Sequence, residues 1–197
     1  MEHLKVRITG ASELLMHSDR LLDDFDPLTI EKKSLTAKKT RKTDADKLRI
    51  MQIELEGALY WLDGEGVYLP GDNLRKSVIE AARLTREGKG FERGFYVQDA
   101  CLMLKYQDGP ATLARLVSEP GFRFVRGVVQ ARQRIMRARP IFRDWSCEAH
   151  ITFDPSQIKN KAAVLTAMEA AGLYVGVGDW RVGKGGRYGK FTVAEAK

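Results

Sequence analysis

Polar and apolar residues alternate from His3 to Gly10 (His3-Leu4-Lys5-Val6-Arg7-Ile8-Thr9-Gly10), the period of a strand with one face in a core. Leu14-Leu15-Met16-His17 follows, then an acidic loop from Asp19 to Pro27. Residues 28–43 are polar and basic with little apolar content, which predicts an exposed, mobile excursion. Thr43 or Asp44 is placed to cap a helix running to about Glu56, with Leu48, Met51 and Leu55 on one side; Met51-Ile53-Leu55 also fits a strand. Ala58–Leu62 and Val67–Leu69 flank Asp63-Gly64-Glu65-Gly66, a hairpin signal. Asp72 or Asn73 then caps a helix with Leu74, Val78, Ala81 and Ala82 inward, stopped at Gly88. Phe95–Tyr106 and Ser146–Phe153 predict strands, Thr112–Val117 a short helix or turn, and Asn160–Ala171 a helix ended by Gly172. A glycine-rich loop leads into a last strand, Lys190–Val193. Strands alternating irregularly with a few helices imply an α+β fold, a sheet with helices on one face.

Composition permits a packed core: 44% of the 197 residues are hydrophobic. No apolar run approaches the ~18 residues that span a bilayer, and the amino terminus lacks the apolar stretch of a signal peptide. Cys101 and Cys147 show neither metal-ligand spacing nor a disulfide framework, so they are expected as reduced core thiols in a cytoplasmic protein. The net charge of +7 is unevenly distributed. Residues 31–49 hold eight basic side chains (Lys32, Lys33, Lys38, Lys39, Arg41, Lys42, Lys47, Arg49) against three acids. Residues 123–143 hold seven arginines and no acid, which leaves the rest of the chain at a net −5. A slightly acidic body with two concentrated basic segments is the footprint of a polyanion binder.

Within the arginine segment, Arg126, Arg132 and Arg134 share one parity, and Arg137, Arg139 and Arg143 the other. A straight strand would divide them between faces. A turn or bulge near Ile135-Met136 would bring both sets to one side. Arginine suits bidentate phosphate contacts and stacking on bases. The segment Gly176–Gly189 has six glycines in fourteen residues, where about one is expected from average usage. Lys184 is followed by neither Ser nor Thr and by no helix, which excludes a nucleotide-triphosphate loop. Gly176-Val177-Gly178 follows a helix rather than a strand, which excludes a dinucleotide fingerprint. The bland reading is a tight turn into a strand; the functional one uses Trp180, Arg181, Lys184, Arg187 and Tyr188, the mixture of aromatic and cationic groups that single-strand binders need.

Three stretches resemble the RAMP superfamily, specifically the backbone subunits of CRISPR effector complexes and their compact phage or prophage relatives. Tyr68-Leu69-Pro70-Gly71-Asp72-Asn73-Leu74-Arg75-Lys76-Ser77-Val78 is similar to that family's entry into its first major helix. Val175–Val193 resembles its carboxy-terminal glycine loop and last strand, and the first strand followed by Leu14–Pro27 sits where the family has its first strand and a strand-proximal loop. Together these cover about a quarter of the chain. The resemblance implies a modified RRM- or ferredoxin-like antiparallel sheet as a single domain over 1–197, with inserted basic excursions at about 28–45 and 122–143. It also implies a non-catalytic protein that grips the backbone of single-stranded RNA or DNA and assembles head to tail into a filament, alone or with other CRISPR-type subunits, in the cytoplasm of a bacterial host. No cofactor or metal is expected, and no membrane partner. The expected contacts are Lys38, Lys39, Arg41, Lys42, Arg75, Arg126, Arg132, Arg134, Arg137 and Arg139, with the five loop residues above.

Two other readings stand beside it. Some relatives cleave RNA with an aspartate after the first strand, where Asp19, Asp23, Asp24 and Asp26 lie, although the local pattern matches poorly. A metal-free nuclease would draw on His3, His17 or His150, with His17 the best placed. A subunit mimic acting as an inhibitor is the third. For the filament, the acidic loop offers a counterpart to the basic excursion of the next copy.

Overall fold

The computed structural model describes residues 1–130 and 133–196. The chain begins with strands β1 (Glu2–Gly10) and β2 (Leu14–Leu15) and helices α1 (Pro27–Thr36) and α2 (Asp44–Ala58). Strands β3 (Trp61–Leu62) and β4 (Gly66–Pro70) precede helices α3 (Gly71–Leu84) and α4 (Gly88–Gly94) and strands β5 (Phe95–Val97) and β6 (Cys101–Met103). Helix α5 (Leu113–Ser118), strands β7 (Arg123–Gln130), β8 (Gln133–Phe142) and β9 (Ser146–Phe153), helix α6 (Lys161–Ala170) and strand β10 (Phe191–Glu195) complete it. Two compact units result: Met1–Leu15, Trp61–Pro110 and Phe142–Lys197 form the first, Met16–Tyr60 and Ala111–Ile141 the second.

The first unit is an antiparallel sheet in the order β10-β1-β9-β5. In chain order its core reads β1–α3–β5–β9–α6–β10, the split βαββαβ arrangement of ferredoxin-like folds. The fold is therefore α+β, as the periodicity implies. Leu4, Val6 and Ile8 of β1 and Cys147, Ala149 and Ile151 of β9 are buried, while His3, Lys5, Arg7 and Thr9 take the other face. Helices α3 and α6 pack on each other and on the edge strands β5 and β10. Leu74, Val78, Ala81 and Ala82 of α3 are buried, as their spacing predicts. The hairpin β3–β4 forms at Asp63–Gly66 and joins β6 in a second, three-stranded sheet.

Several local expectations are corrected. Helix α3 begins at Gly71 with Pro70 as its N-cap and no side-chain cap, so neither Asp72 nor Asn73 plays that part. Close packing decides this: a Cβ at Gly71 would lie 2.0 Å from the Asp99 carbonyl. Gly88 opens α4 instead of stopping α3, which ends at Leu84. The expected strand 95–106 is two strands in two sheets, β5 and β6. At the break the Asp99 carboxylate accepts the His150 backbone N–H at 2.7 Å. Both cysteines are free; Cys147 is buried, which pushes its thiol up to about 12, whereas Cys101 is only half-buried. Among the described residues, no helix is long and apolar enough to cross a membrane.

In the second unit, residues 27–36 are a helix and not a mobile excursion. Asp26 caps it, accepting the Leu28 N–H at 2.8 Å, and Pro27 presets the first turn. Helix α2 begins with the reciprocal Thr43–Asp46 capping box and runs to Ala58, which rules out the strand alternative. Its inward residues are Ile53, Leu55 and Ala58 together with Glu54, while Leu48 points out. Thr112 caps α5, its hydroxyl accepting the Arg115 N–H at 3.3 Å.

Gly10 lies beneath the buried Trp145 ring, whose indole N–H donates to the Ser12 carbonyl at 2.8 Å. A Cβ at Gly10 would sit 2.3 Å from Trp145 Nε1. Gly10→Ala is expected to cost about 1–3 kcal/mol by overpacking, a melting-temperature fall of roughly 3–10 °C in thermal unfolding followed by circular dichroism. An unchanged melting temperature would show that the Trp145 contact is loose.

Candidate nucleic-acid interface

The arginine segment folds as the hairpin β7–β8, paired without interruption from Arg123↔Pro140 to Gln130↔Gln133. Neither the turn nor the bulge expected near Ile135-Met136 is there: Ile135 pairs with Val128 and Met136 with Gly127. The hairpin itself solves the parity problem. Arg126 lies directly across from Arg137, and Arg139 lies across from Phe124, so Arg126, Arg137 and Arg139 share one face. Arg134 pairs with Val129 at the opposite parity, Arg132 lies outside the described residues, and Arg143 falls in the first unit.

Arg137 is anchored from below by Glu54, a buried carboxylate of α2. Arg137 Nη1 donates to Glu54 Oε1 at 2.6 Å, Lys32 Nζ of α1 to the same oxygen at 2.9 Å, and the Ala138 backbone N–H to Oε2 at 3.0 Å. Burial pushes this carboxyl upward, but Lys32, the Ala138 amide and Arg137 outweigh it and hold it below the usual carboxylate range. Arg139 donates to the Ala138 carbonyl at 3.0 Å and comes within 3.5 Å of His17 Nδ1. Arg126 is exposed.

The other basic segment is largely neutralised within its own unit. Lys38 pairs with Asp46 at 2.6 Å, Lys47 with Asp44 at 2.8 Å, Lys33 with Asp24 at 2.7 Å, and Arg49 grips Glu31 with two hydrogen bonds of 2.6 and 2.7 Å. Lys38 foremost, then Thr43, holds Asp46 down at about 2. Lys38 is thus committed to an acid, whereas Lys39, Arg41 and Lys42, between α1 and α2, have no ion pair among the described residues. The acidic loop is committed too: Asp26 takes Arg20 at 2.7 Å, and Asp23 accepts the Phe25 N–H at 2.9 Å. Among the described residues no three His, Cys, Asp or Glu side chains gather as a metal site would require.

In the first unit the glycine loop is closed on itself. Gly176, Gly178, Gly185 and Gly189 have positive φ, and a Cβ at Gly189 would lie 1.7 Å from the Val177 carbonyl. Tyr188 is buried, 5.7 Å from the half-buried Trp180 ring, so it is a packing residue and not an open stacking face. Arg181 pairs with Glu80 at 2.7 Å, and the Arg187 guanidinium lies 5.2 Å over the Tyr188 ring; Lys184 and Arg187 are exposed. Arg75 donates to the carbonyls of Phe95 and Glu92 at 3.0 and 2.7 Å, binding α3 to the start of β5, and so holds the fold together.

Sequence reasoning did not assemble the open face of the sheet. His3 pairs with Thr152, Lys5 with His150 and Arg7 with Glu148. Glu148 takes both Lys5 at 2.9 Å and Arg7 at 3.0 Å, which together hold it at about 2. His150 Nδ1 lies 3.1 Å from Asp99, and His3 Nδ1 lies 3.1 Å from the Thr152 hydroxyl. Alternation marks these residues as outward; only the strand register shows which of them meet. No protein-family model matches this chain, and no curated protein matches it.

Replacing Glu54 with Gln leaves Lys32 and Arg137 facing a neutral amide and is expected to cost about 3 kcal/mol, read from urea denaturation. Because the folded carboxyl lies below its ordinary value of 4.5, its contribution is present above that pH and fades as pH drops through the folded value. Wild type should therefore lose stability on acidification below about pH 4.5 more steeply than the Gln variant. Parallel pH profiles would remove Glu54 as the anchor.

Proposed function

We propose that this protein binds single-stranded nucleic acid by its phosphate backbone and assembles head to tail along it. The observation that carries the reading is the hairpin: a segment of six arginines without an acid, with Arg126, Arg137 and Arg139 on one face. Arg126 is exposed directly across from Arg137, where a guanidinium suits bidentate hydrogen bonds to phosphate. Arg137 is held by Glu54, so this part of the array is ordered before a ligand arrives and less entropy is lost on binding. Lys39, Arg41 and Lys42 provide a second, weaker contact. The strand is RNA or single-stranded DNA, the setting is the cytoplasm, and CRISPR-type subunits are candidate companions, as the family resemblance suggests.

Fluorescence anisotropy across a salt series tests this. Affinity should fall steeply with salt and vary little between unrelated sequences of equal length. Arg126→Ala with Arg139→Ala should weaken binding more than the triple change Lys39→Ala, Arg41→Ala, Lys42→Ala, and should reduce the log–log salt slope by about 1 to 2. A flat salt response sinks the backbone grip; the reverse ranking makes the α1–α2 connector the main clamp.

A second reading, RNA cleavage by acid–base chemistry, is favoured by one observation: Asp99 orients His150 on a sheet face shared with His3 and Lys5. His150 Nε2 would take the 2′-hydroxyl proton, the 2′-oxygen would attack phosphorus, and His3 or Lys5 would protonate the departing 5′-oxygen. The products are a 2′,3′-cyclic phosphate and a 5′-hydroxyl. Incubation with labelled RNA and with the matching DNA decides it: cleavage of RNA alone, lost in His150→Ala, supports an enzyme, and intact RNA removes this reading.

A further inference from the structure

Arg139, on the hairpin face that also carries Arg126 and Arg137, stands beside an imidazole. The Ala138 carbonyl accepts from its Nη1 at 3.0 Å, and its Nη2 lies 3.5 Å from Nδ1 of His17. The His17 side chain is exposed, but the backbone around it is held. The Met16 N–H donates to the Pro140 carbonyl at 3.1 Å, the Ser18 N–H to the Ala58 carbonyl at 2.9 Å, and the Tyr60 hydroxyl to the carbonyl of His17 itself at 3.4 Å. Residues 16–18 are thus tied to β8 on one side and to the end of α2 on the other. The imidazole is presented next to the Arg139 guanidinium by structure that exists before any ligand arrives.

The donors and acceptors of this pair do not balance. A guanidinium can only donate, so in the neutral ring Nδ1 acts as acceptor, at the outer limit of a hydrogen bond, and the ring proton sits on Nε2. A second proton turns Nδ1 into a donor as well, and two donors of like charge then face each other. An anionic oxygen resolves the conflict. It accepts from Arg139 Nη2 and from His17 Nδ1–H together, and its charge offsets the repulsion between the two cations. The other charged or titratable groups of the elements around the ring are Tyr60, after α2, and Asp19 and Arg20, in the turn that follows His17. Arg20 is committed to Asp26 at 2.7 Å, and Arg137, two residues before Arg139, to Glu54 at 2.6 Å. Asp19 acts on the ring both with and without a ligand.

We propose that Arg139 and His17 together take one backbone phosphate, and that the strand binds with uptake of one proton from solvent by His17. The liganded state favours the protonated ring, so affinity rises on acidification through the range in which imidazole titrates. The gain is full at a pH below the titration of the unliganded ring and is lost as pH rises through that of the liganded one. This inference rests on the phosphate grip of the proposed function and links that grip to a proton.

Fluorescence anisotropy of the full chain at constant ionic strength tests it, with a short oligothymidylate and the matching oligouridylate, both without terminal phosphates. Their bases and phosphodiesters keep one charge state over the range. Wild-type affinity should rise about tenfold from about pH 8 to about pH 5.5. The other two histidines, His3 and His150, belong to the first unit. His17→Gln should match wild type at the upper end and give a flat profile. His17→Lys should hold close to the acid-end affinity throughout, and His3→Gln and His150→Gln should follow wild type. A His17→Gln variant that keeps the wild-type profile, or a profile that disappears in His150→Gln, overturns the proposal. Salt-sensitive binding that ignores pH overturns it too and leaves the phosphate grip standing. No salt-sensitive binding to either strand at any pH removes the grip, and this inference with it.

Discussion

The second unit depends on one buried carboxylate. Glu54 is 4% exposed and is the point at which α1, α2 and the hairpin converge, through Lys32, its own helix and the pair Arg137 and Ala138. Isolated burial of such a charge would be prohibitive. Here each oxygen meets a donor, and both cations keep part of their surface in water, so the desolvation cost is shared among groups that are only partly withdrawn. The arrangement also explains why α1 exists as a helix despite its modest apolar content. Leu28 and Thr29 are its buried residues, and the Asp26 cap, the Lys32 contact and the bidentate Arg49–Glu31 pair supply much of the rest.

How much of this was legible in the sequence follows from the range of each interaction. The alternation of β1, the amphipathic face of α3, the Thr43 cap and the β3–β4 turn depend on neighbours within a few residues, and all were readable. What depended on distant partners was not. The N-terminus of α3 is set by a carbonyl at Asp99, the break between β5 and β6 by His150 across the sheet, and the α1 helix by Glu54. Residues 28–43 read as a charged excursion because the acids that neutralise Lys32, Lys33 and Lys38, namely Glu54, Asp24 and Asp46, lie outside that stretch and count only once their side chains are paired in space.

The candidate site shows the same division. Composition alone located the arginine segment, which folds as one hairpin with no acid of its own. The glycine loop was located equally well, yet its glycines serve backbone-to-backbone packing, and Tyr188 and Arg181 are turned into the unit that holds them. Cationic and aromatic residues in a loop are consistent with ligand binding or with a self-sealing turn, and only burial separates the two. Asp99–His150 and Lys5 beside His150 were invisible because antiparallel register is a property of the pair of strands and of neither strand alone.

Register is also what gives the hairpin two chemically distinct faces. A strand's side chains alternate with period two, so the face bearing Arg126, Arg137 and Arg139 and the face bearing Val125 and Met136 are back to back, and a slip of one residue in β8 would exchange its contributions to the two. A hairpin standing at the edge of a small unit, rich in like charge, has little intrinsic reason to keep one register. Glu54 supplies that reason by holding consecutive residues through different groups: the side chain of Arg137 and the backbone N–H of Ala138. A slipped strand could not satisfy both. One carboxylate therefore fixes at once the parity of the cations, the parity of Val125 and Met136 and the attachment of the hairpin to α2, which makes the division between a face bearing Arg126, Arg137 and Arg139 and a face bearing Val125 and Met136 a consequence of a single buried ionic contact.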